Sequence, residues 1–233
     1  MKEGARGGTM GSPTPRWATF DCYGTLIDWN GGIAGELARL FGDGEASRLL
    51  DRYHEVEPQV QAEDPERTYR TVLTLTLERL AEGEKPELPD GEHDALVRSL
   101  PAWTPFPEVP EALEDARGRG WRLAILSNTD RDFIAASKAR IGIPFDETIV
   151  ASEIGSYKPG HRHWSEFFAR THADRDRHVH VAASLYHDVA PANELGLKSV
   201  WVNRLGETAG PAPTREVEDL SGLAAVLDEL VPA

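Results

Sequence analysis

The sequence predicts an α/β fold, a Rossmann-like parallel sheet core with an inserted α-helical cap, on three observations. Beyond residue 120, short apolar runs alternate with helix-period stretches. That is the pattern of βα units whose strands are covered on both faces. A similar apolar run, WATFDCYG (17–24), stands by itself near the start. Between the two, residues 30–104 carry helical spacing and no convincing strand.

Taken in order, residues 1–15 read as a loose tail without the apolar centre of a secretory signal. WATFDCYG reads as a buried strand that delivers Asp21 to its carboxyl end, with the Cys22 side chain facing away. Leu37, Leu40, Leu49, Tyr53, Tyr69, Val72, Leu73, Leu77 and Leu80 recur at helical spacing. The prolines of PAWTPFPEVPE (101–111) mark a hinge back to the core. The core is therefore expected over 16–29 and 105–233, and the cap over 30–104.

WRLAILSN (121–128) is expected as a strand, with Asp130 capping the next helix and Gly142 closing it. ETIVAS (147–152), HVHVAAS (178–184) and KSVWVN (198–203) are further strands. Residues 161–172, 188–196 and 222–230 are helices, the last capped by Ser221. Ligands of such sheets sit beyond the carboxyl ends of the strands, where Asp21, Ser127, Asn128 and Ser184 fall. A helix N-terminus after Ser127 and Asn128 suits an anion.

Composition narrows the classes. The formal net charge of −14 discourages nucleic acid and anionic membranes but allows a small anionic substrate in a locally positive pocket. No apolar run is long enough to span a bilayer. One cysteine excludes an internal disulfide and a multi-cysteine zinc site, and a cytoplasmic location is expected. His178 and His180 share one side of their strand; with no carboxylate at ligand spacing, a solvated face is expected there. Trp29 and His187, taken singly, read as packing or surface.

Four separated pieces, FDCYGTLID (20–28), ILSNTD (125–130), YKPG (157–160) and ASLYHD (183–188), together resemble the haloacid dehalogenase superfamily, with the helical cap after the first motif. The resemblance implies a nucleophile at Asp21, an anion-binding serine at Ser127, a lysine at Lys158 that steadies the nucleophile, and an acid at Asp188 that acts on water or metal. Tyr23 stands where phosphatases of the superfamily carry a second aspartate, as in the 2-haloacid dehalogenase branch. Halide leaves without a proton, whereas an alkoxide benefits from a general acid.

The resemblance thus implies hydrolytic dehalogenation of a small 2-haloacid through an aspartyl ester, with no cofactor required and a homodimer as the family habit. Tyr23, Thr25, Ser127, Asn128, Ser184 and Trp164 would contact substrate. Two alternatives stand beside it: a Mg²⁺-dependent phosphatase, with metal on Asp21, Asp188 and the Tyr23 backbone, and a non-catalytic binding relative. Leu185 and His187 depart from the dehalogenase pattern, where asparagine and tryptophan are usual. Arg48 and Arg52 are the candidates for a halide-catching cap arginine.

Overall fold

The computed structural model describes residues 14–64, 66–84, 87–208 and 210–233, so the expected tail at 1–15 falls almost wholly outside it. Six parallel strands form one sheet in the order β3-β2-β1-β4-β5-β6. They are β1 (Arg16–Phe20), β2 (Trp121–Ser127), β3 (Glu147–Val150), β4 (His178–Ala182), β5 (Lys198–Val202) and β6 (Arg215–Val217). The chain adds β2 and β3 on one side of β1 and β4 to β6 on the other. This reversal opens a crevice at the carboxyl end of β1, the position where open α/β sheets bind ligands. Phe20 pairs in register with Ile125 on one side and Val181 on the other, so the residues just beyond all three strands meet there.

Every residue of β1 and β4 is buried, because helices cover both faces. One face packs Ala18, Phe20, Leu123, Ile125, Val179 and Val181 beside α5 (Val109–Gly118), α6 (Arg131–Ile141) and α10 (Leu223–Leu230). The other packs Trp17, Ala124, Leu126 and Ile149 with Trp164 and Phe167 of α8 (Arg162–Thr171) and Ala192 of α9 (Ala190–Glu194). A short α7 (Ala151–Ile154) follows β3, ending that strand earlier than its sequence suggests.

The cap consists of α1 (Trp29–Phe41), α2 (Ala46–Glu63), α3 (Tyr69–Ala81) and α4 (Ala95–Ser99). Asp28 starts α1 by accepting from the Gly31 amide at 2.9 Å, and Thr68 starts α3 through the Thr71 amide. Leu37, Leu49, Tyr53, Val72, Leu73 and Leu77 line the cap's apolar interior. A Cβ on Gly32 would sit 2.4 Å from the Trp103 ring, so only glycine lets α1 approach the returning chain this closely. The two crossings between core and cap are tied together. Asp28 N donates to Thr104 O at 2.9 Å and Phe106 N to Leu26 O at 3.0 Å, around an antiparallel bridge of Ile27 with Pro105.

Several local expectations change. The carboxylate of Asp130 does not cap its own helix; it accepts from the amides of Tyr69 and Arg70, both at 3.0 Å, and so caps α3 across the domain junction. Gly222, not Ser221, occupies the cap position of the last helix. His178 and His180 are fully buried rather than solvated, because β4 is an interior strand with α8 laid over that face. No helix among the described residues is long and apolar enough to cross a membrane.

Candidate active site

Asp21 follows directly after β1, where the strand gives way to a tight turn. Its amide still bonds to Val181 O at 3.1 Å, which fixes the backbone. Gly24, at φ 86°, takes the left-handed conformation that turns the chain back, and its amide reaches Ile27 O at 2.9 Å. The Thr25 hydroxyl donates to Asp21 Oδ2 at 2.8 Å and accepts from the Ala183 amide at 2.9 Å. That bond locks the nucleophile turn to the end of β4.

Lys158 is the hub. Its buried ammonium lies 2.9 Å from Asp21 Oδ1, 2.6 Å from Asp188 Oδ1 and 2.9 Å from Leu126 O. Three acceptors satisfy its three donors. The backbone of Lys158 is pinned by Asn128, whose amide accepts from Lys158 N at 2.6 Å and donates to Lys158 O at 3.0 Å. Burial alone pushes the ammonium pKa down, but the carboxylates of Asp188 and Asp21 hold it above the ordinary lysine value. Asp188 responds in the opposite sense. Burial pushes its carboxyl up, yet Lys158 and His180 hold it below the usual carboxylate range. Asp188 Oδ2 has no hydrogen-bond partner among the described residues.

A buried polar chain runs inward from Asp188. His180 Nε2 is 2.9 Å from Asp188 Oδ1. Thr19 Oγ1 is 2.8 Å from His180 Nδ1 and 2.8 Å from His178 Nε2. With both rings neutral, one assignment satisfies every bond. His180 donates to Asp188, Thr19 donates to His180, and His178 donates to Thr19, leaving only the acceptor Nδ1 of His178 unpaired. Burial pushes the His178 pKa well down, which fits a neutral ring.

These groups open onto a cavity of about 760 Å³ between core and cap, lined among others by Asp21, Tyr23, Ser127, Asn128, Lys158, Ser184 and Asp188. The Ser127 hydroxyl is buried there without a hydrogen-bond partner among the described residues. Ser184 Oγ accepts from the His187 amide at 3.0 Å, so it caps the turn that carries Asp188. The Tyr23 hydroxyl lies 3.0 Å from Ser137 Oγ, and its ring packs against Tyr69 and Trp103. Burial pushes the Tyr23 phenol pKa far up, so it is a poor proton donor at neutral pH. Cys22 is buried and its thiol pKa is raised, again by burial.

Three sequence expectations fail in this cavity. Trp164 does not face it. The ring is buried on the α8 face, edge-on to His180 at 5.1 Å between centroids, because the helical turn after Lys158 points position 164 into the sheet. Thr25 is buried and reaches Asp21 rather than a ligand. Arg48 and Arg52 turn outward to Glu84, at 2.5 and 2.9 Å, so neither is a halide arginine. The sequence reading also missed residues that do line the cavity. They include Trp29, His54, Glu57 and Gln61 from the cap and Arg204 from beyond β5. The one available signal was the helical spacing of 54, 57 and 61, which puts them on one face of α2.

The model of haloacid dehalogenase-like hydrolases matches residues 15–210. The chain belongs to that family. Within it, the (S)-2-haloacid dehalogenase of Pseudomonas sp. (strain YL) is 30% identical over 229 residues, covering 90% of this chain and 93% of that protein. The (S)-2-haloacid dehalogenase H-109 of Pseudomonas putida is 29% identical over 214 residues, covering 88% and 94%. The L-2-haloacid dehalogenase of Xanthobacter autotrophicus, solved with chloropropionic acid covalently bound, shares the fold at a TM-score of 0.79. It is 17% identical, with 91% of this chain and 98% of that chain covered. The haloacid dehalogenase-like hydrolase described here thus matches these enzymes through both core and cap.

Proposed function

We propose that this chain hydrolyses the carbon–halogen bond of a 2-haloacid, with the Asp21 carboxylate as nucleophile. The observation that carries the reading is the Asp21–Lys158–Asp188 cluster at the floor of the cavity, with Tyr23 where a second acid would serve a phosphatase.

Lys158 and Thr25 hold both oxygens of Asp21, which fixes the carboxylate in one orientation. The Ser127 hydroxyl, buried and unpaired, donates to the substrate carboxylate. An Asp21 oxygen attacks the carbon that bears the halogen. The carbon–halogen electron pair leaves as halide, and an aspartyl ester forms. Asp188 then takes a proton from a water that adds to the ester carbonyl. Cleavage of the acyl–oxygen bond releases a 2-hydroxy acid, whose leaving oxygen gains that proton from Asp188, and loss of the water's second proton to solvent regenerates the Asp21 carboxylate. Asp188, held below the usual carboxylate range, stays an acceptor throughout the neutral pH range. The cap limits bulk water at the ester.

For Mg²⁺, the donors would be Asp21, Asp188 and a backbone carbonyl. Both carboxylates already share Lys158, and among the described residues no three His, Cys, Asp or Glu side chains form a metal-binding group. That is a thin donor set for an ion demanding octahedral oxygen ligation, and no step above runs through a metal. The test is halide release from 2-chloropropionate with and without EDTA, beside phosphate release from an aryl phosphate with and without Mg²⁺. Halide release that persists in EDTA is expected. Phosphate release that needs Mg²⁺, with no halide from any acid, would replace this reading by the phosphatase one.

A further inference from the structure

The cavity is roomy for a three-carbon acid. Its 760 Å³ falls within the range of about 300–1,000 Å³ that houses drug-sized ligands. Among the described residues, no lysine or arginine of the cap helices lines it. The polar side chains by which α2 lines the cavity are His54, Glu57 and Gln61, beside Pro58. Glu57 is only 6% exposed. The Gln61 amide donates to its Oε1, while its Oε2, which no hydrogen bond among the described residues reaches, is open to the cavity rather than sealed. Neither lysine nor arginine of the cavity lining neutralises it. Lys158 is held by Asp21 and Asp188, and Arg204 by Glu108 at 2.6 Å. His54 turns its Nε2 to Asn30 Oδ1 at 2.9 Å and stacks on Trp29.

A buried carboxylate without a counter-charge is costly, and proteins pair such groups. Here the unpaired oxygen belongs to a cap residue that lines the same cavity as Asp21, Lys158 and Asp188. We infer that Glu57 is a substrate-recognition residue, and that the preferred substrate is a 2-haloacid whose far end carries a protonated amine bound by the Glu57 carboxylate. Such a zwitterion sets its carboxylate against the Ser127 hydroxyl and pairs its ammonium with Glu57 at the cap. Burial pushes the Glu57 carboxyl up to about 7. An incoming ammonium therefore meets a group that ionises readily on pairing. The inference rests on the dehalogenase reading above.

The test compares kcat/KM for halide release from 6-amino-2-chlorohexanoate, 2-chloro-6-hydroxyhexanoate and 2-chlorohexanoate, with 2-chloropropionate as the small reference. The amine should exceed the methyl-terminated acid by about tenfold or more, the order expected of one charge-assisted hydrogen bond. In Glu57→Gln that ratio should collapse toward one, whatever the variant's absolute rate. An equal or better rate with the methyl-terminated acid in the wild type overturns the inference, and needs no variant to fold. An alcohol as good as the amine overturns the ammonium assignment. If 2-chloropropionate and every longer acid release no halide, the reaction assignment has failed. Calorimetric binding of 5-aminopentanoate against pentanoate then judges the subsite by itself. Amine-dependent binding lost in Glu57→Gln upholds it; equal binding, or none, rejects it.

Discussion

His180 Nε2 lies 2.9 Å from Asp188 Oδ1, so the acid assigned to water activation is held from behind by an imidazole as well as from the side by Lys158. The imidazole is itself held by Thr19. Asp188 therefore has one oxygen fixed by two donors and the other free to accept.

His180 should act by positioning Asp188. His180→Phe keeps the aromatic contact with Trp164 but removes a hydrogen bond to a charged acceptor, worth about 1.5–3 kcal/mol. Hydrolysis of the aspartyl ester should slow by roughly 10- to 100-fold. Intact-mass measurement during turnover should show the esterified enzyme accumulating, and His180→Gln, which keeps a donor, should restore much of the rate. A variant that slows halide release without accumulating ester would place His180 elsewhere in the reaction.

Asp21→Asn should lower turnover by roughly 10⁴-fold or more, the scale on which nucleophile removal acts, with the fold retained. Its circular dichroism should overlay the wild type. In ¹⁸O water under single-turnover conditions, the wild-type label should enter Asp21 and not the product. Label found first in the hydroxy acid would mean that water attacks the substrate directly.

The Tyr23 hydroxyl bonds to Ser137 and takes no part in the proposed reaction. Tyr23→Phe should keep halide release within about twofold and cost about 1 kcal/mol of stability. A large fall in kcat with unchanged KM would assign the phenol a chemical role.

Glu57 gives stability a pH dependence of predictable sign. Burial pushes its folded pKa to about 7, above the ordinary glutamate value of 4.5. Between those values the native state holds a proton that the unfolded chain has lost, so stability falls as pH rises. The contribution is fully present below about 4.5 and is lost as pH climbs through about 7. At about 1.36 kcal/mol per pH unit, the swing is on the order of 3 kcal/mol. Urea unfolding of wild type and Glu57→Gln should therefore converge near pH 4.5 and diverge by pH 8, with the variant the more stable. Parallel curves would show that Glu57 is solvated.

Asp130 joins core and cap by accepting from the first amides of α3. Asp130→Ala should cost about 1–3 kcal/mol. Hydrogen exchange should rise at Tyr69 and Arg70, ahead of the sheet. Unchanged protection there would show that α3 needs no cap from the core.

The sequence by itself determined the α/β class, the helical insertion after the first strand, and the place of Asp21 at a strand end, each from local pattern. Apolar runs of strand length, helical periodicity, and polar residues just past a strand end all place their side chains without knowledge of distant partners. The gathering of Asp21 with Lys158 and Asp188 was legible only through the resemblance to the haloacid dehalogenase superfamily. Tertiary structure decided the rest. His178 and His180 look solvated in a strand read alone, yet α8 covers that face of the sheet. Asp130 sits at a helix start but caps a helix about 60 residues earlier in the chain. Arg48 and Arg52 are cap cations by sequence, and Glu84 turns them away from the cavity. Glu57 reads as one acid among many until α2 lies across the crevice. These outcomes depend on which helix face meets which strand end, and contacts between residues far apart in the chain leave no periodic trace in the sequence.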